Sequence, residues 1–217
     1  MDQLAPGGNS VMKTLALLIA LCLGIANAAT STAAPVVSDA DFNDARASFL
    51  KGSAGDSAAT SKAAAQFAEL LKRDPSNPLL IAYHGAAVAM RARDAWFPWR
   101  KMSYAEDGLA EIDRALAAIR PQDETTRVQG VPTAIQAKFV AANSYLAVPA
   151  NMNRHAQGEK LLSDMLTSPA FAASPLGFRK AVYGTALRYL AAKNPQQVPV
   201  WQRELAAPMP NSQASAH

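Results

Sequence analysis

The chain has 217 residues, of which 50% are hydrophobic and 18% are charged, and its formal net charge is +4 at pH 7. This length allows one domain with a substantial core. The excess of basic residues is small and spread along the chain. Proteins that bind nucleic acids concentrate theirs in a patch, so this class of function is disfavoured. The single cysteine, Cys22, has no partner for a disulfide within the chain.

The first predicted element is a secretory signal peptide of bacterial type. Lys13 gives a short basic start, residues 15–25 form an apolar run, and residues 26–28 supply an Ala-Asn-Ala cleavage site. We therefore expect residues 1–28 to be removed on export. The mature chain is expected to begin near Ala29 and to be periplasmic.

Two other interpretations of the same segment have less support. A membrane helix needs roughly 18 or more apolar residues, and this run is shorter. Lipoprotein processing at Cys22 requires a small residue before it, whereas the chain has Leu21 there. Met12 is an alternative start of the chain, because the residues before it include no cation. The cysteine leaves with the signal, so the mature chain is expected to contain none.

The sequence predicts an all-α domain of eight helices over residues 38–207. A disordered N-terminal segment (29–37) is expected before it and a disordered tail (208–217) after it. Alanine, the best helix former, is abundant, and β-branched residues are sparse after residue 40. Short connections between the helices predict antiparallel pairs. The helices are expected at these positions, in chain order: Phe42 to Leu50; Ala63 to Leu71; Leu79 to Arg93; Leu109 to Ile119; Ile135 to Leu146; Leu161 to Leu166; Phe178 to Leu190; Trp201 to Leu205.

Capping residues and prolines predict where several helices begin. Two capping boxes, each a serine followed three residues later by an acidic residue, indicate helix starts at Ser38 and Ser103. Asn77-Pro78 and Ser174-Pro175 each combine an N-cap residue with a proline at the first helical position.

Residues 60–121 carry a regular spacing of small, aromatic and proline residues. The same order of residues occurs in two helices. A small residue is followed after four positions by a larger apolar residue. Three positions later comes another small or apolar residue, and a proline follows the helix. These positions are Ala63, Phe67, Leu70 and Pro75, then Gly108, Ile112, Ala115 and Pro121, with Ile81, His84, Gly85 and Val88 in the helix between them. The pattern resembles the tetratricopeptide repeat (TPR), in which Gly85 would let two backbones approach and Phe67 would fill the groove between hairpins.

The resemblance implies a short, irregular TPR-like α-solenoid of stacked antiparallel hairpins, with looser agreement from residue 121 to residue 206. It implies a scaffold that holds a protein or peptide partner in a concave groove, without catalysis. That groove would be lined by Tyr83, Ala87 and Met90. His84 occupies a position that is usually apolar, so we expect it to be buried, neutral and hydrogen-bonded; alternatively it faces the groove and contacts the partner.

Residues 91–104 have the most unusual composition of the chain. Two of the three tryptophans lie here beside four cations, and Trp and Arg are enriched at binding hot spots. The segment is therefore a candidate contact surface at the rim of the groove, unless its rings fold back over the ends of neighbouring helices. Exposed rings would favour acidic or apolar partners, including anionic lipid headgroups. The candidate residues are Arg93, Trp96, Phe97, Trp99, Arg100 and Tyr104.

The sequence contains no catalytic or metal-binding motif: a nucleophile elbow, a phosphate-binding glycine loop, a dinucleotide fingerprint and a zinc-protease motif are all absent. No two histidines have metal-ligand spacing, and His155 is expected in a solvated loop. The acidic residues of 106–113 predict a solvated helix face. We therefore predict a cofactor-free, non-enzymatic adaptor for a protein or peptide of the cell envelope. The alternative is a helical carrier of a small apolar ligand or lipid.

Overall fold

The structure is a computed structural model that describes residues 37–209. Within these residues the fold is all-α, as the sequence predicts, with nine α-helices, three short 3-10 helices and one two-stranded hairpin. The predicted signal peptide and almost all of the predicted N-terminal segment and tail lie outside the described residues. The described residues belong to one compact unit.

All eight predicted helices are present, and the four-residue α7 is an addition to them. The α-helices are α1 (Asp39–Ser53), α2 (Ser57–Arg73), α3 (Pro78–Asp94), α4 (Pro98–Ala117), α5 (Thr133–Ala147), α6 (His155–Leu166), α7 (Pro169–Ala172), α8 (Leu176–Tyr189) and α9 (Val198–Ala206). The 3-10 helices are Pro121–Glu124, Ala150–Met152 and Pro195–Gln197. The hairpin pairs β1 (Arg127–Val128) with β2 (Val131–Pro132) in antiparallel register.

Side-chain caps start the first three helices. The Ser38 hydroxyl accepts from the Asp41 backbone N–H at 3.1 Å, and the Asn77 side chain accepts from Leu79 N–H at 3.1 Å. Both N-caps are confirmed predictions. The Asp56 carboxylate accepts from the third N–H group after it, at 2.9 Å, and starts α2. Each cap satisfies a backbone donor that the helix itself leaves unpaired.

α3 lies at the centre of the N-terminal half, because α1, α2, α4 and α5 all pack against it. Phe67 of α2 stacks on Tyr83 of α3 with ring centroids 4.9 Å apart. Phe42 and Phe49 of α1 meet the Tyr83 ring edge-on. Aromatic pairs of these geometries are favourable beyond the apolar area that they bury. The cluster therefore fixes α1 and α2 against α3.

α3 and α4 approach most closely where two glycines face each other. A Cβ atom added to Gly85 would lie 2.7 Å from the Gly108 carbonyl oxygen. A Cβ atom added to Gly108 would lie 2.5 Å from the Ala89 backbone nitrogen. Real Cβ atoms essentially never come this close to backbone atoms, so a larger residue at either position would force the helices apart. The backbone contact expected at Gly85 is confirmed.

α5 belongs to two hydrophobic cores. Val140 and Tyr145 lie in the first core with α1 to α4, whereas Ile135 and Leu146 lie in the second core with α6, α8 and α9. Trp201 of α9 is 5% exposed and packs in the second core. Within residues 37–209, none of the helices combines the length and the apolar character that crossing a bilayer requires.

Two predicted helix starts are wrong. α4 begins at Pro98 rather than at Ser103, because proline at the first helical position starts the helix earlier. The Ser103 hydroxyl instead donates to the Asp107 carboxylate at 3.1 Å. Ser174 does not cap α8, since its hydroxyl donates back to the Ala170 carbonyl at 2.8 Å.

Candidate functional site

Side chains of α3 and α4 pair in antiparallel register along one face of their hairpin. His84 Nδ1 lies 2.6 Å from Glu111 Oε2, and Arg91 Nη2 donates to the Tyr104 hydroxyl at 3.0 Å. Spacings of three and four residues keep such positions on one side of each helix. From His84 to the end of α3 this face is about 15 Å long, at 1.5 Å per residue. We call it the outer face; its members are His84, Val88 and Arg91 on α3, and Tyr104, Asp107 and Glu111 on α4.

An open groove of about 470 Å³ lies on the outer face around His84. Val88 and Ala110 give it an apolar strip, and polar side chains flank that strip. Its lining residues are His84, Val88, Asp107, Ala110, Glu111 and Arg114. Ala110 is exposed, so the groove is accessible from solvent at this point.

Glu111 links the charged groups of the groove. One carboxylate oxygen lies 2.6 Å from His84 Nδ1, and the other accepts from Arg114 Nη2 at 3.0 Å. The His84 and Glu111 side chains are only 20% and 22% exposed. His84 is therefore hydrogen-bonded, as predicted, but it is partly exposed rather than buried, because it forms part of the groove wall. Asp107 adds a second carboxylate, so the groove favours a ligand group that is cationic or donates hydrogen bonds.

The turn between α3 and α4 exposes four large apolar side chains. We call residues 95–102 the tip. Trp96 is 89% exposed, Trp99 67%, Met102 47% and Phe97 46%. The Phe97 and Trp99 rings stack on each other with centroids 4.6 Å apart. The alternative in which these rings cover neighbouring helices is therefore wrong for the two tryptophans.

The tip is cationic, and the segment before it is held in place. Arg100 and Lys101 are exposed, and residues 95–102 include no acidic side chain. Just before the tip, Arg93 Nε donates to the Asp94 carboxylate at 3.0 Å. Both terminal nitrogens of Arg93 also donate to the Gly52 carbonyl at 3.1 Å. Arg93 therefore ties the end of α3 to the end of α1 rather than facing a partner freely.

Three residues predicted to line the groove lie elsewhere. Tyr83 is 7% exposed and Ala87 is fully buried, because aromatic rings of α1 and α2 cover Tyr83 and alanines of α2 pack against Ala87. Met90 is half-buried and packs against Ala63 and Ala64 of α2. These residues lie on α3, but the side of α3 that carries them is inside the domain. The accessible groove lies on the outer face, which is rotated by one residue, about 100°, around the axis of α3.

A polar cluster joins α4, α5 and the start of α6. The Tyr145 hydroxyl donates to the Asp113 carboxylate, which also accepts from both terminal nitrogens of Arg154, at 2.7 and 3.1 Å. Burial, followed by the hydrogen bond to Asp113 and the charge of that carboxylate, raises the pKa of Tyr145. The sequence suggested a solvated face for Asp113. Asp113 instead pairs with Tyr145, which lies 32 residues away, and a contact over that distance cannot be recognised from neighbouring residues in the sequence.

His155 and the acidic residues do not form a metal site in the part of the chain that the structure describes. Residues 37–209 contain no group of three or more His, Cys, Asp or Glu side chains arranged to hold a metal ion. His155 is the first residue of α6 rather than a loop residue, and its Nε2 lies 2.7 Å from the Val148 carbonyl oxygen. This contact joins the start of α6 to the end of α5.

Comparison with known proteins identifies no relative: no family model, curated protein or solved structure matches this chain. The candidate site is therefore defined by its own geometry alone. It consists of the groove on the outer face and the exposed tip at the end of the same hairpin.

Proposed function

We propose that the protein is an exported, non-enzymatic scaffold of the cell envelope that holds a segment of a protein or peptide partner. The observation that carries the proposal is the groove on the outer face. Its apolar strip, Val88 and Ala110, lies between hydrogen-bonding groups of His84, Asp107 and Glu111. A peptide segment needs this combination of apolar contact and polar partners for its backbone and side chains.

The proposed architecture is a short TPR-like stack of hairpins. It is supported by the backbone contact between Gly85 and Gly108 and by the insertion of Phe67 between α2 and α3, both at positions of the repeat pattern. The side of α3 that carries Tyr83 and Ala87 is buried in this stack. We therefore place the partner on the outer face and not on the covered side of α3.

The groove also indicates the chemistry of the partner. Two carboxylates, Asp107 and Glu111, and one guanidinium, Arg114, line the groove, so a lysine or arginine of the partner would find a charge-assisted acceptor. The outer face, about 15 Å long, accommodates roughly four to five residues of extended chain. The alternative, a carrier of an apolar ligand, has less support, because this groove is open and an apolar molecule would keep much of its surface in water.

Export is proposed from the sequence of residues 12–29, whose basic start, apolar run and cleavage site are typical of a signal peptide. A partner in the cell envelope follows from that location. The absence of nucleic-acid binding, of enzymatic activity and of a cofactor remains a prediction from composition and motifs.

The proposal is tested by blocking the groove without touching the core. Ala110→Arg places a large cation in the groove, and Asp107→Lys reverses one of its charges. Ala65→Arg, at an exposed position of α2, is the matched control. Proteins captured from an envelope extract of the source bacterium are quantified by mass spectrometry for each variant.

We expect a defined set of proteins to be retained by the wild type and by Ala65→Arg. The same set should be reduced about tenfold by each groove variant, which corresponds to about 1.4 kcal/mol of binding free energy. The proposal is wrong if the captured set is the same for all four proteins, or if the wild type retains nothing above a bare-resin control.

A further inference from the structure

The exposed tip has a composition that the groove does not explain. It presents Trp96, Phe97, Trp99 and Met102 to solvent at the turn where α3 ends and α4 begins. Soluble monomers rarely expose several large apolar side chains side by side unless the patch contacts another molecule or a membrane. The tip is therefore expected to bind a molecule or surface different from the ligand of the groove.

The shape of the tip favours a soft surface over a fitted protein pocket. Trp96 is 89% exposed, so little of its ring contacts the rest of the domain. Interface hot spots are typically packed inside pockets and surrounded by a rim that excludes water. The Trp96 ring protrudes, so neighbouring residues of this protein do not surround it and exclude water from it. Tryptophan instead partitions well into the interfacial region of a bilayer, where an amphipathic ring lies at the level of the headgroups.

The charge of the tip selects the type of bilayer. Arg100 and Lys101 lie between Trp99 and Met102 in the first turn of α4, and no acidic residue belongs to the tip. The nearest acidic side chain in sequence, Asp94, is engaged by Arg93. Cations beside an apolar wedge are attracted to anionic lipid headgroups while the rings enter the boundary with the acyl chains.

We propose that the tip docks the protein on the surface of an anionic lipid bilayer. Trp96, Phe97 and Trp99 enter the interfacial region, and Arg100 and Lys101 contact the headgroup phosphates. Arg93, by holding the end of α3 to Gly52 of α1, keeps the tip in a fixed orientation to the domain. This docking does not depend on the proposed function of the groove, because the outer face and the tip use different side chains.

The test measures binding to vesicles of phosphatidylcholine mixed with phosphatidylglycerol, compared with vesicles of phosphatidylcholine alone. The chain without residues 1–28 is used, so that the predicted signal peptide cannot itself bind lipid; the first described helix begins at Asp39. Cosedimentation gives the partition coefficient. Quenching of tryptophan fluorescence by brominated acyl chains reports the depth of Trp96 and Trp99, since Trp201 is buried and serves as an internal reference.

We expect the wild type to bind the anionic vesicles and the double substitution Trp96→Ala/Trp99→Ala to bind at least about tenfold more weakly, because most of the inserted apolar area is lost. Arg100→Glu/Lys101→Glu should remove the preference for phosphatidylglycerol. The controls are Val200→Ala, another exposed apolar residue, and Lys62→Glu/Lys72→Glu on α2; both should bind as the wild type does.

Three outcomes would overturn the proposal. The first is no binding of the wild type to anionic vesicles, and the second is binding that the two tryptophan substitutions leave unchanged. The third is loss of a captured protein partner from Trp96→Ala/Trp99→Ala without any vesicle binding, which would make the tip a protein interface. The single substitution Trp96→Gln is included because Trp96 is so exposed that replacing it should not affect folding. Weaker vesicle binding by this variant therefore cannot be attributed to misfolding. The vesicle measurement contains no protein partner, so a failure to bind vesicles leaves the groove proposal untouched.

Discussion

The contact between Gly85 and Gly108 makes a specific prediction about stability. In Gly108→Ala the new methyl group would lie 2.5 Å from the Ala89 nitrogen and 2.7 Å from the Ala89 Cβ atom. Favourable contacts between carbon atoms require about 3.5–4.0 Å, so α3 and α4 must separate by about 1 Å. The clashing atoms belong to helix backbone and to its first side-chain carbon. A rotamer change cannot relieve the clash.

The magnitude follows from two opposing effects. Overpacking of a well-filled interface costs about 1–3 kcal/mol, and a clash with backbone belongs at the upper end of that range. Replacing glycine by alanine inside a helix returns about 1 kcal/mol of helix propensity. We therefore expect Gly108→Ala to lower the free energy of unfolding by about 2 kcal/mol. For a domain of this size the melting temperature should fall by roughly 4–8 °C.

The measurement is thermal and urea denaturation followed by far-ultraviolet circular dichroism. Gly184 of α8 provides the control, because a Cβ atom added there would meet no atom within 4 Å. Gly184→Ala should therefore raise stability by about 0.5–1 kcal/mol through propensity alone. A Gly108→Ala variant as stable as Gly184→Ala would refute the backbone contact between α3 and α4.

Three further predictions concern single interactions. Tyr145→Phe removes the hydroxyl that donates to Asp113 and should cost about 1 kcal/mol at neutral pH. The raised pKa of Tyr145 means that its contribution is complete below pH 10 and is lost as the pH rises above that value, so urea denaturation across this range should show a flatter pH dependence for the variant. Arg93→Ala should cost about 1–3 kcal/mol in thermal denaturation, because the Gly52 carbonyl loses a charged donor. Asn77→Ala should cost about 1 kcal/mol in the same assay, since α3 loses its N-cap.

Each of these predictions has an outcome that contradicts it. An equally steep loss of stability above pH 10 in Tyr145→Phe would show that another group causes it. Wild-type stability of Arg93→Ala would mean that the bonds to Gly52 are not formed in solution. An unchanged melting temperature for Asn77→Ala would show that water replaces its side chain at no cost.

The helices could be predicted from the sequence where local signals agree. Asn77-Pro78 combines an N-cap with a preorganised first turn, and α3 begins there. Ser103 shows how one local signal overrides another, since Pro98 starts the helix first and Ser103 then lies within it. The β1–β2 hairpin was not predicted. Each strand has two residues, too few for an alternating pattern, and the turn relies on Gln129 adopting a positive φ.

The candidate site could be predicted only in part. The spacing of Gly85 and Gly108 predicts which helices touch, because small residues are needed wherever backbones meet. It does not predict which side of α3 remains open. The burial of Tyr83 depends on Phe42 and Phe49 of α1, which are distant in sequence and pack against its ring. The exposure of Trp96 depends in the same way on whether a distant element covers it.

The sharing of α5 between two cores has a consequence for how the chain can be shortened or divided. In regular repeat arrays a terminal module contacts only its neighbour, so whole modules can be deleted with a graded loss of stability. Here a chain that ended at Ala147 would lack α6, α8 and α9, which pack against Ile135 and Leu146. A chain that ended before Thr133 would lack α5 and would expose the side of α3 on which α5 packs. We therefore expect that neither half folds alone and that the domain melts in a single cooperative transition.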